Sequence, residues 1–122
     1  MATTSGKSTD DYIFARTDVE SDRLELQHKL LCRTFGGLYR APLDKAKTHH
    51  VLDVGCGTGI WSKDFAKQHP DAEIFGFDVE EYPAWSSAPS ICKLRVANLG
   101  DAATWSAFDD KFDFIYGRMI VV

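Results

Sequence analysis

The sequence predicts an α/β fold, in which an N-terminal helix precedes a parallel sheet of about four strands. Three observations support this. Short apolar runs of strand length alternate with segments of helix length. The first of these runs ends in a cluster of glycines. Strands that are separated by helix-length connections pair in parallel through right-handed crossovers. The chain has 122 residues, which suits one domain.

The N-terminal part is predicted to contain a tail and a helical cap. Residues 1–11 are rich in Ser, Thr and Asp and are predicted to be disordered. The cap is assigned to residues 12–47. Its helix is predicted to start near Thr17, because Thr17 and Glu20 have the form of a capping box. A broad apolar face continues to the glycine pair 36–37, which is expected to end the helix.

The rest of the chain, residues 48–122, is predicted to be a half-domain of alternating strands and helices. In order, we expect a strand at 50–54, a helix at 59–69, a strand at 73–79, a loop or broken helical turn at 82–90, a strand at 91–97, a short helix at 101–108 and a strand at 112–116. An extension of the last strand to residue 119 is the alternative. Doubly wound nucleotide-binding domains have two such halves. The chain is therefore expected to be truncated, with completion of the sheet by a second copy or another polypeptide as the alternative.

Composition narrows the classes of partner and compartment. The net charge of -4 gives no electrostatic reason to expect nucleic acid or an anionic membrane as a partner. No run approaches the ~20 apolar residues of a membrane helix, and the polar N-terminus lacks the apolar core of a secretion signal. We therefore expect a cytoplasmic or nuclear protein. Three cysteines at unrelated spacings predict neither a disulfide framework nor a metal site.

The most informative stretch is the glycine loop, which runs from Gly55 through Cys56 and Gly57 to Gly59. Glycines let the backbone turn sharply and let a ligand approach. A dinucleotide site favours G-x-G-x-x-G with pyrophosphate above it, so the G-x-G-x-G spacing disfavours a nicotinamide-dependent oxidoreductase. Asp53, two residues earlier, places negative charge nearby and suits a cationic ligand. S-adenosylmethionine carries an ammonium and a sulfonium and no phosphate. The alternative is a tight turn that binds no ligand.

Two further groups of candidate residues follow later strands. Asp78, beside Val79, ends the second strand about 20 residues after the glycines and could accept hydrogen bonds from a ribose diol. A helix cap or a solvated loop acid is the alternative. Asn98 follows the third strand and could accept from an adenine amino group, and Leu99 could offer its N–H to a ring nitrogen. The alternative for Asn98 is a turn asparagine. Asp101 is expected to cap the short helix.

The segment 52–59 resembles the first motif of class I S-adenosylmethionine-dependent methyltransferases, which have a Rossmann-like fold. With residues 60–61 and the upstream segments 22–24 and 27–30, the chain resembles the fungal LaeA-like methyltransferases of secondary metabolism, over roughly residues 14–122. The resemblance implies the cofactor-binding portion of a methyltransferase that uses S-adenosylmethionine, with a small-molecule or protein acceptor. A catalytically inactive domain that acts as a binding or regulatory partner is the alternative.

The resemblance also implies roles for individual residues. Asp53 and the glycine loop would hold the amino-acid end of the cofactor, and Asp78 would hold the ribose hydroxyls. Asn98 stands where the family often has an aspartate, which weakens the inference that it binds adenine. Arg118 lies in a segment that runs beside the methyl group in this family, with a surface or ion-pair role as the alternative.

The N-terminal helix would lie over the cofactor pocket in this family. Arg23 and His28 are the polar residues that could reach the pocket, although a capped or partly exposed helix histidine is the favoured interpretation of His28. The three tryptophans, at positions 61, 85 and 105, are predicted to be packing residues. No catalytic base is identified. Methyl transfer from an activated sulfonium mainly needs an aligned acceptor and exclusion of water.

Overall fold

The structure is a computed structural model that describes residues 9–98, 100–106 and 112–117, with side chains from residue 19 onward. The elements are α1 (Thr9–Phe35), β1 (His50–Val54), α2 (Ile60–Gln68), β2 (Glu73–Asp78), a 3-10 turn (Pro83–Ser87), β3 (Cys92–Val96), α3 (Ala102–Ser106) and β4 (Phe114–Gly117). This order confirms the predicted α/β class with an N-terminal helix.

The four strands form one parallel sheet in the order β3-β2-β1-β4. The apolar side chains of β1 are buried, as expected for a central strand of a parallel sheet that is covered on both faces. Val54 pairs with Phe77 of β2 and with Gly117 of β4. The carboxyl ends of β1 and β2 therefore lie side by side, and the residues that follow them share one edge of the sheet.

Aromatic packing holds α2 on one face of the sheet. Trp61 stacks on Phe65 with 4.9 Å between ring centroids and on Tyr116 of β4 with 4.1 Å. The indole N–H of Trp61 donates to the carbonyl of Leu38 at 2.9 Å, which satisfies the buried donor. The prediction that Trp61 is a packing residue is confirmed. On the opposite face, Trp105 of α3 meets Phe77 edge-on at 5.6 Å.

The helix α1 differs from the prediction at its start and agrees at its end. It begins at Thr9, so the predicted start near Thr17 is wrong, and the last three residues of the predicted disordered tail are helical. Residues 1–8 lie outside the described part. Gly36 has φ 78°, and the N–H of Gly37 donates to the carbonyl of Cys32, which closes the last turn.

The later boundaries agree with the sequence within about two residues where they are described. The segment 82–90 contains the short 3-10 turn, and the predicted helix at 101–108 is observed for Ala102–Ser106. Asp101 caps this helix, because its Oδ1 accepts the N–H of Ala103 at 2.9 Å. Within the described residues, no helix combines the length and apolar composition that a membrane span requires.

Candidate functional site

A cavity of about 270 Å³ opens at the carboxyl edge of the sheet, between the glycine loop and α1. Its volume lies near the lower end of the range for small-molecule sites. The described residues that line it come from α1, the end of β1 and the loop after it, the start of α2, the end of β2 and the segment after it, the segment after β3, and β4. They are Glu20, Leu24, Gln27, Asp53, Val54, Gly55, Cys56, Gly57, Thr58, Ile60, Trp61, Phe77, Asp78, Val79, Tyr82, Ala97 and Tyr116.

The glycine loop has the backbone geometry that only glycine adopts readily. Gly55, Gly57 and Gly59 have φ values of 68°, 55° and 83°, all in the left-handed region. A Cβ at Gly57 would lie 3.2 Å from Cδ1 of Leu24, so α1 lies directly against the loop. The pattern of glycines therefore serves both the sharp turn into α2 and the close approach of the N-terminal helix.

Asp53 lines the cavity from the end of β1. Its side chain is buried, and Oδ2 accepts a hydrogen bond from the hydroxyl of Ser62 at 2.7 Å. Ser62 lies in α2 and is itself fully buried. A buried carboxylate needs such donors, because burial without them is costly. This contact fixes the orientation of Asp53 and ties β1 to α2 beside the glycine loop.

Asp78 organises the same loop from β2. Its Oδ2 accepts the N–H of Gly57 at 2.9 Å, and its Oδ1 lies 3.4 Å from the N–H of Glu80. An ionised carboxylate offers about four acceptor positions, so acceptor capacity remains on Asp78 after these two contacts. Neither predicted alternative, a helix cap or a solvated loop acid, describes this loop-bridging carboxylate. Its contact with a ribose stays a prediction.

The cavity is acidic. Glu20, Asp53 and Asp78 line it, and none of its described lining residues is a Lys or Arg. Burial raises the pKa of the Cys56 thiol, and the nearby Asp53 and Asp78 raise it further. Burial likewise raises the pKa of Tyr82 to about 12, with Asp78 as the next contributor. Both shifts oppose a further negative charge at this edge of the sheet.

The helix α1 contributes a different set of residues from the two that the sequence analysis proposed. Glu20, Leu24 and Gln27 line the cavity. Arg23 is exposed and forms an ion pair with Glu20. His28 is 2% exposed and its Nε2 lies 2.8 Å from Oδ2 of Asp64 in α2, so the favoured interpretation of a capped or partly exposed histidine is wrong. The spacing of 20, 24 and 27 marks one helix face, but its rotation toward the loop depends on tertiary packing.

The remaining predicted site residues are Val79, Asn98, Leu99 and Arg118. Val79 lines the cavity. Asn98 does not line the cavity, although the preceding Ala97 does. The Oδ1 of Asn98 accepts the N–H of Gly100 at 2.9 Å, as in the turn asparagine that was the alternative. The adenine contact of Asn98 stays a prediction without support from this geometry. Leu99 and Arg118 lie outside the described residues.

Tyr82 is a site residue that the sequence analysis missed, and Trp85, which was predicted to be a packing residue, also contacts the glycine loop. Both lie in the segment that was predicted to be a loop or a broken helical turn. Tyr82 lines the cavity, and the indole N–H of Trp85 donates to the carbonyl of Gly57 at 2.7 Å. Trp85 therefore supports the loop from outside the cavity. Among the described residues, no three His, Cys, Asp or Glu side chains are grouped as metal ligands would be.

Comparisons with known proteins agree with this architecture. A family model described as a methyltransferase domain matches residues 51–121. The "Secondary metabolism regulator laeA" of Aspergillus flavus is 34% identical over 110 residues, which are 88% of this chain and 29% of that protein. The "N-methyltransferase verN" of Clonostachys rogersoniana is 32% identical over 115 residues, which are 89% of this chain and 39% of that protein.

A third relative, the "Protein-methionine methyltransferase laeA" of Emericella nidulans, is 33% identical over 110 residues, which are 88% of this chain. The match covers 28% of that relative. The chain therefore spans well under half the length of the curated relatives it matches.

Proposed function

We propose that the cavity binds S-adenosylmethionine and serves methyl transfer in secondary metabolism. The chain belongs to the methyltransferase domain family of class I S-adenosylmethionine-dependent enzymes, and it resembles the LaeA-like members of that family. The observation that carries the proposal is the acidic cavity beside a glycine loop whose Gly57 N–H is already bonded to Asp78.

The donor set fits this cofactor better than a dinucleotide. A pyrophosphate needs free N–H groups or cations at the loop. Here the N–H of Gly57 donates to a carboxylate, and the carboxylates of Asp53 and Asp78 at the cavity would repel phosphate. An ammonium and a sulfonium are attracted by the same charges. The remaining acceptor capacity of Asp78 suits ribose hydroxyls.

Each described residue has a task in this proposal. Asp53, oriented by Ser62, and the glycine loop hold the amino-acid end of the cofactor. Asp78 accepts from the ribose hydroxyls, and Leu24 and Gln27 of α1 cover the site and limit the access of water. The bound cofactor supplies a methyl group that is already activated by its positively charged sulfur. The protein then acts mainly by alignment and by exclusion of water.

The acceptor is proposed to be a nucleophilic group of a small molecule or a protein that enters from the open side of the cavity. The names of two relatives specify a nitrogen and a protein methionine. For this chain, the nucleophilic atom of the acceptor is proposed to attack the methyl carbon of the cofactor. The bond from this carbon to sulfur then breaks, and S-adenosylhomocysteine is the leaving group. The sheet edge at β4 is proposed to pair with further polypeptide, since an edge strand carries unpaired N–H and C=O groups.

Calorimetric titration of the purified chain tests the cofactor. We expect S-adenosylhomocysteine and S-adenosylmethionine to bind in the micromolar range and NAD to give no binding heat. Asp53→Asn should weaken binding of both nucleosides, because it removes a negative charge that lines the cavity. The matched control is Asp71→Asn, a change of the same chemistry at an exposed position. Absence of heat and of a thermal shift with both nucleosides would overturn the proposal, as would tighter binding of NAD.

A further inference from the structure

We propose that His28 is the positioning residue that holds α1 over the cavity, through its hydrogen bond to Asp64. The inference builds on the proposed function, because it concerns how the cofactor site is closed. His28 is buried outside the cavity, and it affects cofactor affinity through the position of its helix.

One row of α1 makes the contacts with the rest of the fold. Leu24, His28 and Cys32 are spaced four residues apart and therefore share a helix face. Leu24 approaches Gly57 of the loop, and Cys32 packs against the aromatic core under α2. His28 lies between them. The row thus spans from the cavity to the core, and the hydrogen bond of His28 to Asp64 lies at its centre.

The burial of His28 makes this contact obligatory. An imidazole that is 2% exposed loses its hydrogen bonds to water, and burial without replacement of those bonds is costly. The ionised carboxylate of Asp64 can only accept, so Nε2 of His28 is the donor in this 2.8 Å bond. Bonds of this charge-assisted kind are stronger and more directional than neutral ones. The bond therefore fixes both the depth and the rotation of α1.

The opposite face of α1 is open to solvent. Val19, Leu26 and Leu30 are 70%, 58% and 54% exposed. In the described chain, therefore, the helix is held from its inner row. Asp64 lies one turn after Ile60, which itself lines the cavity. The His28–Asp64 bond consequently joins the two helices that flank the cavity opening.

Loss of this bond should shift α1 toward an undocked state. A hydrogen bond to a charged group corresponds to about a tenfold or larger change in an equilibrium constant. The cavity-lining residues Glu20, Leu24 and Gln27 lie within about two turns of His28 on the same helix. If they are less often in place, the apparent Kd rises in inverse proportion to the docked fraction, since ligand binds only the docked state.

Hydrogen exchange on the ligand-free chain tests the anchoring without reference to any cofactor. In His28→Leu we expect faster exchange in the C-terminal half of α1 and unchanged exchange in β1 and β2. His28→Gln, whose amide can donate from nearly the same position, should restore much of the protection. Unchanged exchange in α1, or equal acceleration throughout the sheet, would overturn the proposal.

Titration of the same variants with S-adenosylhomocysteine tests the effect on the site. We expect His28→Leu to raise Kd by up to about tenfold as the docked fraction falls, His28→Gln to raise it less, and Asp64→Leu to add little when combined with His28→Leu. The matched control is Lys67→Ala, because Lys67 approaches the same carboxylate at 4.0 Å from solvent and should matter little. An unchanged Kd in His28→Leu would overturn the positioning role. If the unmodified chain does not bind the nucleoside, the proposed function fails, and the exchange experiment still decides the anchoring.

Discussion

At the scale of single residues, two glycines, one in the glycine loop and one in β2, create the space for one leucine. The two terminal methyl groups of Leu94 would lie 2.7 Å from a Cβ at Gly59 and at Gly76, respectively. Leu94 therefore fills positions that any other residue at 59 or 76 would claim.

Gly59→Ala should destabilise the fold more than Gly36→Ala. Both positions have left-handed backbones, φ 83° and 78°, so both changes incur about 1–2 kcal/mol of backbone strain. A Cβ at Gly36 meets nothing within 4 Å, whereas one at Gly59 meets Leu94. We expect an additional loss of about 1–3 kcal/mol for Gly59→Ala from overpacking. Urea unfolding of the two variants measures the difference, and equal losses would show that Leu94 moves aside freely.

Asp78→Ala should weaken nucleoside binding through two losses. The change removes the acceptor for the N–H of Gly57 and the acceptor proposed for the ribose. We expect a loss of about 1.5–3 kcal/mol in the binding free energy, as for hydrogen bonds to a charged group. Asp78→Asn keeps a carbonyl for Gly57 and should lose less. Calorimetric titration checks both, and unchanged affinity in Asp78→Ala would remove this residue from the site.

At the scale of elements, local signals predicted where strands and helices lie, and tertiary contacts determined what they place together. The strand at His50–Val54 and the glycines after it are visible in the sequence, because apolar runs and left-handed glycines are local requirements. The contacts of Ser62 with Asp53 and of His28 with Asp64 are not, because they depend on the rotation and docking of helices. The predicted start of α1 failed for a related reason, since a capping motif is also compatible with a helix interior.

Ser62→Ala tests the tie between β1 and α2. The change leaves the buried carboxylate of Asp53 without the hydroxyl donor 2.7 Å away. We expect a loss of about 1.5–3 kcal/mol in the free energy of unfolding. The control is Ser86→Ala, which removes an exposed bond to the carbonyl of Pro83 and should change stability by less than about 0.5 kcal/mol. Thermal or urea unfolding measures both, and equal stability of the two variants would contradict the tie.

At the scale of the whole molecule, a buried histidine makes stability sensitive to mild acid. His69 directly follows α2 and stacks on Phe65 with 4.0 Å between ring centroids, and its buried Nδ1 has no hydrogen-bond partner among the described residues. Burial lowers the pKa of His69 below its ordinary value of 6.5, the backbone of Phe65 opposes this shift in part, and the charge of Lys45 adds a smaller lowering. The unfolded chain therefore binds this proton more readily than the folded protein does.

The sign of the pH dependence follows from this difference. The contribution of a neutral His69 to stability is fully present above about pH 6.5 and is lost progressively as the pH falls below that value. We expect the urea midpoint to fall between about pH 7.5 and about pH 5.5. His69→Phe keeps an aromatic ring and removes the titration, so its midpoint should fall less. A wild-type midpoint that falls no more than that of His69→Phe would contradict this assignment.

The strand order β3-β2-β1-β4 has a consequence for the route by which the chain acquires its structure. The pairings of β1 with β2 and of β2 with β3 close short loops. In contrast, β4 joins β1 across more than half the chain. Asp113, just before β4, accepts hydrogen bonds from the N–H groups of His49 and His50, which lie 64 and 63 positions earlier. Closure of the longer loop has the higher entropic cost. We therefore expect the three strands β1, β2 and β3 to pair first, so that the glycine turn and Asp78 meet before β4 joins the described sheet.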